Sequence, residues 1–310
     1  MPRVTVVIPA YNSEMSIAQT LASVAAQTFA DLEVVLVDDG SCDGTAAEAR
    51  RAGESIDLRI LSQANLGPSA ARNTGIRAAR GRYCAFLDAD DLMHPNRIAA
   101  QVALLDHDTA LALVHTDLVT FDDNGVIHST RRAFSDPCGG HVLDRLLLDN
   151  FITTSTVMAH TDRLLEAGLF DERRRLSEDF DLWLRVSERW PIGFIERPLT
   201  RYRRTPGSLS ENKLETGLAA LDVIEAFWQT HVDYRRQNPW IWRQSLARRL
   251  CDAGAAASAQ NMPIKAFCYL SRSLLRDCRN IDAWKWLAKT AASPVRRRLR
   301  SVSDSRLRAA

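Results

Sequence analysis

No apolar run in this sequence approaches the roughly 20 residues that a helix needs to cross a bilayer, so a membrane-spanning segment is not expected. The N-terminus shows no basic stretch leading into an apolar one; Met1-Pro2-Arg3 passes directly into β-branched residues. No secretory leader is expected from that, and a cytoplasmic setting is. Cysteine is scarce and scattered: Cys42, Cys84, Cys138, Cys251, Cys268 and Cys278 form no C-x-x-C pair and no Cys/His zinc spacing. Cys84 falls in a strand pattern and Cys268 in a helix pattern, which predicts reduced, buried thiols. An excess of one charge is also missing, since 40 Lys+Arg against 38 Asp+Glu leave a net +2. That excludes an overall polyanion-binding surface, and no nucleic acid is expected as a partner. What remains is ordinary globular composition: 310 residues, 46% hydrophobic and 25% charged, enough for one large domain with an appendage.

The first ninety-odd residues alternate between two periods. Arg3-Val4-Thr5-Val6-Val7-Ile8 is a buried strand stopped by Pro9, and Pro9-Ala10-Tyr11-Asn12 is the loop after it. A helix follows, capped by Ser13 or Ser16, with Ile17, Leu21 and Val24 at helical spacing. Leu32 to Val37 is a second strand, Asp43-Gly44-Thr45 opens a second helix, and Leu58 to Leu61 is a third strand. After the turn Asn65-Leu66-Gly67-Pro68 a helix carries Arg72 and Asn73, and Gly81 ends it. Tyr83 to Leu87 is apolar on both faces, as in a parallel sheet. Strand and helix in repeated alternation predict a doubly wound α/β sheet with helices on both faces.

Two of these strands end in acids. Asp88, Asp90 and Asp91 place three carboxylates within four positions after the fourth strand, and Asp38-Asp39-Gly40-Ser41 follows the second. Clustered acids at the carboxyl edge of an open sheet lie where such sheets bind ligands. Crowded carboxylates raise one another's pKa unless a cation sits among them, and a hard divalent cation can in turn hold a diphosphate. A solvated Asp-rich turn is the bland alternative. Strand alternation lets only one of Asp38 and Asp39 face a ligand directly.

Further along, a helix runs from His94-Pro95 to about Leu105, a strand covers Leu111 to Thr116, and a hairpin turns at Asp123-Asn124-Gly125. Phe134 to Gly140 is a loop, Leu143 to Leu148 a helix, Asn150 to Met158 a strand and Asp162 to Ala167 a short helix. Another helix is expected from Ser177 as its cap, with Glu178 and Asp179 in its first turn, where the macrodipole favours acids for purely structural reasons. From Glu211 no strand pattern appears. Leu214–Tyr234, Trp240–Ala259, Pro263–Arg276 and Asp282–Ala292 are expected as helices, with Trp228, Trp240, Trp242, Trp284 and Trp286 as core. Residues 273–288 look like one junction of two tetratricopeptide repeats, too little for an array, and a small bundle suffices. The tail from Val295 to Arg308 is arginine-rich, with Val295, Leu299 and Val302 on one helical face; it suits an anionic membrane surface or a solvated end.

Taken in order, the blocks Val6-Val7-Ile8-Pro9-Ala10-Tyr11-Asn12, Gln27-Thr28-Phe29, Val37-Asp38-Asp39-Gly40-Ser41-Cys42-Asp43-Gly44-Thr45, Gly67-Pro68-Ser69-Ala70-Ala71-Arg72-Asn73-Thr74-Gly75, Phe86-Leu87-Asp88-Ala89-Asp90-Asp91 and Ser177-Glu178-Asp179-Phe180-Asp181-Leu182-Trp183-Leu184 resemble the inverting glycosyltransferases of family 2. The resemblance covers roughly residues 1 to 210. It implies a GT-A type doubly wound mixed sheet, with a nucleotide-binding half over 1–92 and an acceptor half over 93–210. An all-α extension over 211–294 and a basic tail over 295–310 would follow.

By the same resemblance Pro9, Tyr11, Asp39, Arg72 and Asp88 would bind the nucleotide, with Asp39 accepting the imide N–H of uracil or thymine. Asp88 and Asp90 would hold Mn²⁺ or Mg²⁺, Asp179 would be the general base, and Trp183 and Glu178 would meet the acceptor. A nucleotide-diphosphate sugar, UDP- or dTDP-linked, would be the donor and a glycan or lipid-linked hydroxyl the acceptor. The enzyme would sit in the cytoplasm, peripheral to the inner membrane face through Arg296–Arg308. One departure stands out: Thr205 occupies a place where many relatives have a histidine before Pro-Gly, which puts a third protein ligand to the metal in doubt. Two other classes stay open. A nucleotidyltransferase would need a Gly-rich loop with a lysine after the first strand, and Pro9-Ala10-Tyr11-Asn12 has neither. A non-catalytic scaffold would not need Asp39, Asp90 and Asp179 together.

Overall fold

Four β-branched, apolar segments form the parallel part of the sheet: β1 (Val4–Ala10), β2 (Leu32–Asp38), β3 (Leu58–Ser62) and β4 (Tyr83–Phe86), in the order β3-β2-β1-β4. The structure, a computed structural model, describes residues 1–122, 125, 127–130 (backbone only), 135–205 and 212–291. The chain divides into two compact units, Met1–Gly207 and Ser208–Ala310.

In the first unit α1 (Ile17–Ala25), α2 (Thr45–Ala52) and α3 (Pro68–Ala78) connect the parallel strands. Alternation divides the side chains between two layers. Val4, Val6 and Ile8 pack with Ile17, Leu21 and Val24 of α1 on one face, and Val35 and Val37 meet Ala71 of α3 on the other. Helices therefore cover both faces, as the alternating pattern requires. The contact of α3 with β1 depends on Gly75, where a Cβ would lie 2.3 Å from Val7 Cγ1.

Beyond β4 the sheet turns mixed. The elements are β5 (Leu92–Met93), α4 (Arg97–His107), β6 (Leu113–Phe121), β7 (Ile127–Thr130), α5 (Leu143–Leu148), a 3-10 turn (Thr154–Thr156), β8 (Met158–His160), α6 (Thr161–Glu166), α7 (Glu178–Ser187) and β9 (Ile192–Arg203). β8 runs antiparallel to both β4 and β6, β6 parallel to β9, and β9 antiparallel to β5, giving β3-β2-β1-β4-β8-β6-β9-β5 with β7 beside β6.

Three expectations are corrected here. The strand expected over 150–158 is mostly the 3-10 turn, because Thr156 N and Thr156 Oγ1 both donate to Thr153 O (2.8 and 2.7 Å) and close the backbone locally. Ser177 stands at the N-cap of α7 but in the left-handed region, φ 58°, with no side-chain capping bond. β9 has no counterpart in the sequence pattern: Pro198 and the pair Glu196-Arg197 hide its alternation, and its register against β6 shifts on either side of Asp117. β6 and β7 pair as the expected hairpin, but Asp123 and Asn124 of its turn lie outside the described residues, as do Phe134, residues 206–211 and the basic tail.

The second unit is helical: α8 (Lys213–Thr230), α9 (Val232–Gln237), α10 (Pro239–Ala259), α11 (Pro263–Arg276) and α12, which begins at 281 and runs through 291. The single helix expected over 214–234 breaks at His231 (φ −104°, ψ 57°), whose ring Nδ1 lies 2.8 Å from Phe227 O. Trp228 is buried, with its indole N–H donating to Ser245 Oγ at 2.9 Å. Trp240 and Trp284 are more than half exposed and so are not core, and Cys268 is an exposed thiol while Cys84 is buried.

Two glycine substitutions separate packing from propensity. Gly75→Ala is expected to cost about 1–3 kcal/mol through the clash with Val7. Gly217→Ala in α8, where the nearest atom to an added Cβ is 3.7 Å away, is expected to be neutral or stabilising by up to about 1 kcal/mol. Urea unfolding of both variants checks the pair; equal effects would contradict the close α3–β1 approach.

Candidate active site

The carboxyl ends of β1, β2 and β4 lie side by side. Ala10 pairs with Asp38 and Val7 with Phe86, so the acids that follow β2 and β4 emerge at one edge with Pro9 and Tyr11. The loops there are held by polar side chains. Asn12 N donates to Ser41 Oγ and Cys42 N to Asn12 Oδ1, both at 2.9 Å, which joins the loop after β1 to the loop after β2. Gly40 takes φ +74°, and a Cβ there would lie 2.8 Å from Asn65 N, so this turn needs glycine. Asp38 Oδ1 accepts Ser41 N at 3.1 Å. Asp39 accepts three hydrogen bonds: Gln63 Nε2 (2.8 Å), Leu66 N (2.9 Å) and Gly67 N (2.8 Å). Asp39 thus fixes the loop that enters α3. Tyr11 is half exposed above the same edge.

Arg72 on α3 is 5% exposed. Its Nη2 donates to Asp88 Oδ1 at 2.8 Å and its Nη1 to Glu178 Oε1 at 2.7 Å, and its guanidinium lies 5.5 Å from the Phe170 ring centroid. Burial alone would lower its pKa, but the two carboxylates reverse this and hold it above the usual arginine value. The same helix grips the segment leading to α7. Ser69 Oγ donates to Arg174 O (3.1 Å), Asn73 Nδ2 to Phe170 O (2.9 Å), and Phe170 N to Asn73 Oδ1 (3.0 Å).

Asp91 points inward. It is fully buried, its Oδ1 accepts Arg203 N at 2.8 Å, and burial, then Asp90 and Asp88, raise its pKa well above the carboxylate range. Asp88 and Asp90 are less enclosed. The Asp90 carboxyl is pushed up to about 6 by burial and by Asp88, against the opposing pull of Arg203 and Thr205. Arg203 Nε donates to Asp90 O at 2.9 Å, and Thr205 Oγ1 lies 3.4 Å from Asp90 Oδ2. Thr205 thus stands beside the acidic motif and brings a hydroxyl to it. Among the described residues no group of three or more His, Cys, Asp or Glu side chains is arranged to hold a metal. Asp88 and Asp90 remain as a crowded pair of carboxylates whose mutual repulsion a cation would relieve. Two carboxylates completed by phosphate oxygens and water suit Mg²⁺ or Mn²⁺.

Asp179 follows Glu178 at the start of α7 and is partly exposed. Thr154 Oγ1 donates to its Oδ2 at 3.2 Å and Phe180 N to its Oδ1 at 2.6 Å. Burial, then Glu178, push its carboxyl up to about 6, while Arg72 opposes the shift. Two expectations change. Trp183 is fully enclosed between Phe86 and Phe170, with ring centroids at 6.3 and 6.0 Å, so it offers no face to an acceptor sugar. Glu178 is turned to Arg72 and places Asp179 beside it.

The 3-10 turn brings two residues that the sequence pattern did not single out. Thr154 meets Asp179, and Ser155 Oγ accepts Asp88 N at 3.1 Å. The hydroxyl run Thr153-Thr154-Ser155-Thr156 was their signal, hidden within a stretch of strand propensity.

The sequence matches the family model described as "Glycosyl transferase family 2" over residues 5–170. An uncharacterized glycosyltransferase of Rickettsia felis is 32% identical over 220 residues, covering 70% of this chain and 36% of that protein. The amylovoran biosynthesis glycosyltransferase AmsB of Erwinia amylovora is 30% identical over 238 residues, 72% of this chain and 76% of that one. The chain spans only 31–36% of the length of the first three rickettsial relatives it matches. Among solved structures, Staphylococcus aureus TarS 1–349 in complex with UDP-GlcNAc aligns with TM-score 0.61 at 16% identity, over 95% of this chain and 92% of that one. The mannosyltransferase PcManGT of Pyrobaculum calidifontis, in complex with GDP-Man and Mn²⁺, aligns with TM-score 0.58 at 21% identity, over 94% and 84%. At these identities the likeness speaks for the fold, which is of the GT-A type with helices at its C-terminal end.

Removing the shared cation tests the geometry. Arg72→Met leaves two carboxylates facing each other in a largely buried space and is expected to cost about 3–5 kcal/mol in urea unfolding. Glu178→Gln keeps an acceptor for Arg72 and is expected to cost clearly less. Equal losses would show that Arg72 does not bridge the two acids.

Proposed function

The chain belongs to glycosyl transferase family 2, and from that premise we propose that it transfers a sugar, with inversion, from a nucleotide-diphosphate sugar to a hydroxyl of a glycan or lipid-linked acceptor. The observation that carries this reading is the Arg72 bridge, which sets the Asp88/Asp90 edge beside a partly exposed carboxylate, Asp179, pushed up to about 6 by burial and Glu178. Pro9, Tyr11 and Asp39 bind the nucleotide, while Arg72, buried and paired with Asp88 and Glu178, positions the acids beside it. A carboxylate has about four lone-pair sites and Asp39, buried, already accepts three hydrogen bonds; its fourth would accept an imide N–H, which favours UDP or dTDP as carrier. The structural neighbours are complexes with UDP-GlcNAc and with GDP-Man, so they do not decide between bases. Asp88 and Asp90 would hold Mn²⁺ or Mg²⁺, which would stabilise negative charge on the departing diphosphate.

Asp179 takes the proton of the acceptor hydroxyl as that oxygen attacks the anomeric carbon from the side opposite the diphosphate. The bond from that carbon to the diphosphate oxygen breaks, and the nucleoside diphosphate leaves with the electron pair. One displacement with one base inverts the anomeric centre and needs no covalent nucleophile. Thr154 and Glu178 keep the carboxylate in place. AmsB is named for amylovoran biosynthesis, and that supports a role in cell-surface polysaccharide synthesis. A lipid-linked acceptor goes with a cytoplasmic enzyme peripheral to the inner membrane face.

Calorimetry with UDP, dTDP and GDP, each with Mn²⁺ and with EDTA, checks the donor site. Metal-dependent binding of UDP or dTDP is expected, weakened at least about tenfold in Asp90→Asn. Binding of none of them would defeat the catalytic reading.

Asp179→Asn is expected to lower turnover by about 10²–10⁴-fold with donor binding intact; unchanged turnover would favour a scaffold. In the wild type only the deprotonated carboxylate serves as base, so kcat/KM should rise with pH, be half-maximal near 6, and level off above. From about pH 4 to 6 the folded chain keeps a proton that the unfolded chain has lost, so this group weakens folding as pH rises through that window. Asp179→Asn should therefore keep or raise Tm at neutral pH.

A further inference from the structure

We propose that the open side of α11 and α12 is a membrane-contact face whose partner is an anionic lipid bilayer. The proposal deepens the peripheral placement given above and rests on it, but not on the transfer chemistry. Behind the two helices Ala266, Leu270 and Ala283 are buried and hold the pair to the rest of the helical unit. In front they leave a groove of about 630 Å³, lined by Pro263, Ile264, Phe267, Trp284, Leu287 and Ala288 among others. Ile264 is 80% exposed, Phe267 58% and Trp284 53%. Single exposed apolar residues are ordinary on protein surfaces, but here three large ones cluster around one groove.

Charge selects the partner. Residues 261–310 hold twelve Lys/Arg against three Asp/Glu, in a chain whose total is only +2. Lys265 and Lys285 adjoin Ile264 and Trp284 in sequence and are exposed, as is Lys289 on the next turn of α12. A second copy of this face would bring the same positive charge against it. An anionic bilayer instead takes both features: aliphatic and aromatic side chains enter the acyl boundary, Trp settles at the interface, and Lys and Arg meet the phosphates. No described helix is long and apolar enough to cross a membrane, so the contact is attachment to one leaflet.

The test is co-flotation of the full chain with phosphatidylglycerol–phosphatidylcholine vesicles and with vesicles of phosphatidylcholine alone. Binding to the anionic vesicles is expected, reduced about tenfold in the double variant Ile264→Ser/Phe267→Ser. Acyl-brominated lipid should quench tryptophan fluorescence in the wild type and much less in Trp284→Phe. These side chains are exposed, and an unchanged Tm confirms that the variants fold. Equal binding by wild type and double variant would overturn the face while leaving the basic tail as the attachment. No binding by the wild type would overturn both the face and the peripheral placement, with the transferase reading untouched. A concentration-dependent dimer abolished by the same substitutions would assign the groove to a second copy and overturn the proposal.

Discussion

A single guanidinium, nearly out of water between two carboxylates, is the interaction on which this site depends. Taking Arg72 and Glu178 out of solvent is expensive unless each finds its opposite at hydrogen-bond distance, and here each does, with the partly exposed Asp88 as the second partner of Arg72. That requirement reaches far into the fold. α3 must lie close against β1, which Gly75 allows. The chain after α6 must return to α3, and Ser69 and Asn73 hold it there through backbone groups of Phe170 and Arg174. α7 must begin where its first acid reaches Arg72, which leaves its second acid at the edge of the sheet.

The electrostatic result is a site of graded carboxylates. Burial raises the carboxyl pKa of both Asp90 and Asp179 to about 6, and a different neighbour adds to each: Asp88 to the first and Glu178 to the second. Arg72 touches both of those neighbours and stays cationic throughout. Asp91 differs in kind. It is enclosed, bonded to the backbone of β9, and works as a strut between the acidic loop and the far strand. Three acids within four positions therefore divide into two that are partly exposed and one that holds the edge together.

Much of this was legible in the sequence. The β-branched runs, their spacing and the helical periods between them were enough for the parallel sheet, because strands buried on both faces must be apolar throughout. The acids at strand ends were legible for the same reason, since polarity after such a run marks the sheet edge. β9 was hidden because a long strand with a register shift tolerates proline and charge where a regular one would not. Trp183 was misjudged because an aromatic beside an acid looks the same in sequence whether it faces a sugar or a core. Thr154 and Ser155 were missed because hydroxyl side chains in a short turn carry no periodic signal. Trp240 and Trp284 were assigned to a core by residue type alone, which says nothing about which side of a helix a residue takes.

The two bonds of Arg72 span very different lengths of chain: Asp88 is 16 residues away and Glu178 is 106. The first can close as soon as the parallel half has emerged from a ribosome. The second waits on the order of 5–20 s for the intervening residues at ordinary rates of synthesis. Through that interval the buried cation has only one of its two partners, and the parallel half of the sheet is left with an unbalanced charge. Such long-range closure slows folding. It also means that Asp179, next to Glu178 at the start of α7, arrives in the same event that completes the charge balance around Arg72.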